Sequence, residues 1–160
     1  MLCGLLARNK TYTYKKISLG LLFVVCIPLV ARADDHPVTP SARELGEGCS
    51  EFSMAGMHEC LLKNRDESQN VLAQAEAHVI AVLSSRWDVE DQFIVLDKKI
   101  FIRSNSEFVK YREEQCGFIK SLGASAIGNA LETREYACLA ELNYRRAAQL
   151  QDAVSDLPLK

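Results

Sequence analysis

The sequence predicts an all-α domain, a small disulfide-stapled helical bundle or hairpin array of three to four helices. Three observations carry this expectation. Apolar residues recur mostly three, four or seven apart from Met54 to about Arg86, which is the period of one helix face. Helical spacing returns over residues 104–121 and 131–155, on either side of a glycine-containing loop. Four cysteines, Cys49, Cys60, Cys116 and Cys138, follow an apolar leader, and an even set in an exported chain reads as disulfides.

Residues 1–33 have the order of a cleaved secretory signal peptide. Arg8, Lys10, Lys15 and Lys16 come first, without an acid, and Ile17 to Val30 is uncharged and apolar. Ala31-Arg32-Ala33, a small-x-small triplet, then precedes Asp34-Asp35. The apolar run has 14 residues, short of the roughly 20 that a spanning helix needs. Cleavage is expected near Ala33, giving a periplasmic or secreted protein with no membrane span. Cys26 follows Phe23-Val24-Val25 rather than small residues, so lipidation is not expected. Cleavage leaves 14 basic residues against 21 acidic ones, a formal charge of −7. That charge argues against nucleic acid, whose phosphates need basic side chains, and it favours encounter with a basic partner.

Residues 34–48 hold two prolines and two glycines and are expected to be a flexible leader. A single helical domain is expected over 49–157. Ser53 is placed to cap its first long helix. That helix carries Met57, Leu61, Val71, Leu72, Ala75, Val79, Val82 and Leu83 as its apolar stripe. Lys63, Arg65, Asp66, Glu67, Gln69 and Glu76 mark its solvent side. Residues 87–103 are mixed, because Phe93 to Leu96 and Ile100 to Ile102 are β-prone runs. A helix from about Asp88 or Phe93 is expected there. Over 104–121, Phe108, Tyr111, Arg112, Gln115, Cys116 and Ile119 mark one broad face. Gly123 to Gly128 is a connecting loop, and Pro158 ends a last helix whose apolar side includes Tyr136, Leu139, Leu142, Ala147, Leu150 and Val154. Four cysteines allow three pairings. The sequence-local one, Cys49–Cys60 and Cys116–Cys138, is expected because each pair brackets a turn.

No catalytic constellation stands out. His58 lies two residues from Cys60, but an oxidised cysteine is no nucleophile. Glu113-Glu114, Glu90-Asp91 and Asp66-Glu67 are sequence neighbours, and neighbouring helix positions do not converge. His58 and His78 have no local ligand set, so no metal or cofactor is expected in the domain. Asp34-Asp35-His36, as a new amino terminus, has the donors of a square-planar Cu(II) site, to be tested by His36→Ala. The glycine loop lacks the lysine and spacing of a phosphate loop.

The most specific pattern is Phe108-x2-Tyr111-Arg112-x3-Cys116, followed by Cys138-x4-Asn143-x2-Arg146-x3-Leu150. With Cys49 and Met57-x2-Cys60-Leu61, it resembles the LprI-type lysozyme inhibitor family over about residues 49–152. Phe108 stands where that family often has Trp, and Asn143 where it usually has Thr. The resemblance implies an all-α exported domain and, for some members, inhibition of lysozyme. Phe108 and Tyr111, one turn apart, are expected to pack inside. Arg112 and Arg146 are expected to bond helix-end carbonyls or a carboxylate. No motif position marks a partner contact, and no feature sets the oligomeric state. The expected function is a non-catalytic binding protein that covers the cleft of a basic lysozyme-type hydrolase with a helix face or the glycine loop. The second reading is a periplasmic accessory or immunity protein with a different partner.

Overall fold

The structure is a computed structural model that describes residues 39–123 and 129–158. The signal-peptide reading, Cys26, Asp34-Asp35-His36 and most of the glycine loop lie outside the described residues. Four helices follow in order: α1 (Ala42–Gly48), α2 (Met54–Ser85), α3 (Asp91–Ser121) and α4 (Asn129–Ser155). No helix among the described residues is long and apolar enough to cross a membrane.

Helix α1 corrects the expected leader, whose carboxy-terminal part is ordered. The reason is a capping box. The Ser41 hydroxyl accepts from the Glu44 amide at 3.3 Å, and the Glu44 carboxylate accepts from the Ser41 amide at 2.7 Å. Glu141 of α4 accepts from the Ala42 amide at 2.9 Å. Leu45 and Cys49 are buried against α2 and α4, supplying the anchoring that so short a helix needs. Ser41→Ala is expected to cost about 1 kcal/mol in urea denaturation. The bonds from Ser41 hold the Glu44 carboxyl below its ordinary value of 4.5. Its contribution is therefore complete above that value and is lost as the pH falls through the lowered one.

Helix α2 starts where expected, with the Ser53 hydroxyl accepting from the Gly56 amide at 3.2 Å. Its stripe meets α4 in two apolar clusters. Leu61 joins Leu45, Cys49, Ala137 and Ala140 in one. Leu72, Ala75, Val79, Val82 and Leu83 join Ala147, Leu150 and Val154 in the other. Residue numbers rise together along both helices, so α2 and α4 lie parallel. Between the two clusters sit a buried Ser68 and a buried Asn143, which divide the core with a polar layer.

Helix α3 runs antiparallel to both. Cys116 bonds Cys138, and Lys120 donates to Glu135 at 2.6 Å, closing the α3–α4 hairpin. Cys49 bonds Cys60 across the α1–α2 turn. Both pairings are the sequence-local ones. Gly123 ends the hairpin, and a Cβ there would lie 2.7 Å from the end of the Leu131 side chain, which would have to move aside. Arg86 clamps the α2–α3 turn by donating to Asp88 at 2.6 Å and to Asp97 at 3.4 Å. The hydrogen bond from Arg86 holds the Asp88 carboxyl below its usual range.

The two β-prone runs are helical, and α3 is continuous from Asp91. Its only buried residues are Ile94 and Cys116; Phe101 and Phe108 lean on the larger apolar cluster. The arc of α3 that faces the bundle is narrow. Tyr111 falls outside it and is 54% exposed, which corrects its expected place in the interior.

Candidate functional site

The motif residues converge on the polar layer. Arg112 on α3 donates from Nη1 to the Asn143 Oδ1 at 2.8 Å and to the Gln69 Oε1 at 2.9 Å. Asn143 Nδ2 donates to the Ser68 hydroxyl at 3.0 Å, and that hydroxyl donates to the Arg65 carbonyl at 2.7 Å. One chain of bonds thus joins three helices. One turn along, Arg146 on α4 donates to Ser104 at 2.9 Å and Asn105 at 3.0 Å on α3. Burial pulls the Arg146 guanidinium below its ordinary value. Phe108 lies between the two arginines, its ring centre 5.9 Å from the Arg112 guanidinium and 5.5 Å from that of Arg146, a cation–π geometry.

These contacts correct one expectation. The arginines donate to side-chain amide and hydroxyl oxygens rather than to helix-end carbonyls, and of the expected carboxylates only Glu113 lies within 3.9 Å of Arg112. Their hydrogen bonds run inward to other helices, so the cluster fastens α3 onto α2 and α4 rather than offering a pocket. Leu150 belongs to the apolar core. Gln69, Ser68, Ser104 and Asn105 had no signal in the sequence, because their partners lie 41 to 75 positions away on another helix.

A different surface has the features of a contact site. Phe52, in the turn between α1 and α2, and Met54, the first residue of α2, are 56% and 54% exposed. Glu44, Glu47, Glu51 and Glu59 are exposed around that turn. Glu47 lies 4.0 Å from Arg43. The Cys49–Cys60 bond ties the start of the turn to the second turn of α2. Phe52, Gly56, Glu59, Cys60, Lys63 and Glu67 line a shallow depression beside it. The arrangement presents an apolar tip with an acidic margin on a braced backbone.

His58 does not face a thiolate. Cys60 is in the disulfide, and the His58 ring instead pairs with the Glu132 carboxylate at 2.7 Å beside Tyr136. Among the described residues no group of three or more His, Cys, Asp or Glu side chains is placed to hold a metal ion. No family model, curated protein or solved structure matches the chain.

Proposed function

We propose that this chain is an exported, non-catalytic binding protein that inhibits a basic lysozyme-type cell-wall hydrolase by covering its cleft with the acidic α1–α2 corner. The observation that carries this reading is the exposed Phe52–Met54 tip on a disulfide-braced turn with Glu51 and Glu59 at its margin. The family resemblance over residues 49–152 and the acidic charge left after cleavage support it. Two disulfides suit a chain that folds in an oxidising compartment.

The two kinds of residue do different work. Glu51 and Glu59 steer a basic enzyme toward the corner and set the association rate. Phe52 and Met54 lose water on contact and set the lifetime of the complex. The brace removes an ordering cost that a free loop would carry. Phe52→Ala is expected to raise the inhibition constant about tenfold, equivalent to about 1.4 kcal/mol, with an unchanged circular dichroism spectrum. Glu51→Lys with Glu59→Lys is expected to slow association and flatten its dependence on salt. An inhibition constant that none of these substitutions moves would remove this corner from the contact.

A further inference from the structure

All four helices contribute to one hollow of about 380 Å³, a size within the range of about 300–1,000 Å³ usual for small-molecule sites. Met57 and Leu61 of α2, Ile119 of α3 and Ala137 of α4 form its walls. Leu61 and Ala137 are buried and lie at its base. Thr133 also lines it and is buried, but its hydroxyl donates to the Ala130 carbonyl at 2.9 Å, so that proton is committed inside α4. A sugar or a peptide would leave polar groups unpaired against such walls. A hydrocarbon body would not. On the α1 side the hollow is bounded by Gly46, where an added Cβ would meet nothing within 4 Å. The missing side chain keeps that side open, and a larger residue there would stand in the space.

Charge tells what head group such a body carries. The lining holds two charged residues, Arg43 of α1 and Arg134 of α4, and no acid. Arg43 lies 4.0 Å from Glu47, with both side chains largely exposed. A surface pair of that kind contributes little, so Arg43 is free to turn to a ligand. Arg134 is exposed and pairs with no acid among the described residues. Guanidinium groups match the two oxygens of a carboxylate with paired donors. Two cations beside this hollow also disfavour a basic protein, so its occupant differs from that of the acidic α1–α2 corner.

We propose that this hollow binds a fatty-acid-type amphiphile, with its hydrocarbon chain along Met57, Leu61, Ile119 and Ala137 and its carboxylate held by Arg43 and Arg134. The site shares no lining residue with the depression beside Phe52. It holds whether or not that corner binds a hydrolase.

Titration calorimetry of the purified protein with dodecanoate at pH 8, below the concentration at which the fatty acid self-associates, tests it. One site per chain with a dissociation constant below about 100 μM is expected. Dodecanol, which has the chain without the charge, is expected to bind at least tenfold more weakly. Arg43→Glu with Arg134→Glu is expected to weaken dodecanoate at least tenfold and to leave dodecanol unchanged. Gly46→Leu is expected to abolish binding of both with helical content retained, because leucine favours a helix over glycine and meets open space there. Weaker binding of dodecanoate, or several equivalent sites, overturns the proposal, as does full binding by the Gly46→Leu protein. Equal affinity for dodecanol, or affinity for dodecanoate that the arginine substitutions do not change, overturns the role of the two arginines.

Discussion

Replacing Cys116 and Cys138 together by alanine is expected to lower the stability by about 3 kcal/mol while leaving the chain helical. The bond spans 22 positions, and a loop of that length costs about 3 kcal/mol to close in the unfolded chain. The loss falls unevenly. Helices α2 and α4 share two apolar clusters, whereas α3 buries only Ile94 and Cys116. Without the bond, α3 is held by the arginine contacts and by Phe101 and Phe108 leaning on the core. Its amides are therefore expected to lose hydrogen-exchange protection before those of α2 and α4. A double substitution that costs under 1 kcal/mol and leaves α3 exchange unchanged would show that the bond does not hold this helix.

Asn143→Ala is expected to cost about 2–4 kcal/mol. Asn143 is 1% exposed and stands between the Arg112 donor and the Ser68 hydroxyl. Its removal leaves both with one partner fewer, and leaves the Ser68 hydroxyl in a place that water does not reach. Arg112→Leu is expected to cost a similar amount, because the Asn143 carbonyl then loses its charged donor. Since the two residues share one hydrogen bond, a double-mutant cycle should return a coupling between about 0.5 and 3 kcal/mol. The layer also fixes alignment. Sliding α2 along α4 would take Ser68 away from Asn143 and bury both polar groups against leucine and alanine. A coupling near zero would show that the two side chains act independently.

The helices whose apolar residues form one wide stripe were legible in the sequence. On α2, Leu61 through Leu83 mark the buried side at regular spacing, and α4 repeats the pattern with Ala147, Leu150 and Val154. Helix α3 was harder to read because its apolar residues lie on more than one face. Ile94 and Phe101 turn inward, while Phe93, Leu96 and Ile100 turn outward, so their letters look like short strands. Tyr111 was misplaced for the same reason: the inward arc is too narrow to include it. Helix α1 was hidden by its two glycines and by the prolines that precede it in the sequence, although Ser41-x2-Glu44 is a capping-box signature that outweighs them. The motif residues were visible as a pattern but not as a contact. Nothing in the spacing of Phe108, Arg112, Asn143 and Arg146 reveals that Ser68 and Gln69, on another helix, complete their bonds. The Phe52–Met54 tip was invisible because exposure, not residue type, distinguishes it.

The most direct measurement is the initial rate of cell-wall lysis by a lysozyme-type hydrolase as purified protein is added. The rate is expected to fall toward zero as the protein exceeds one equivalent of enzyme, with weaker inhibition at higher salt. A rate unchanged by a large molar excess, in low as well as moderate salt, would contradict the proposal that this chain inhibits such an enzyme.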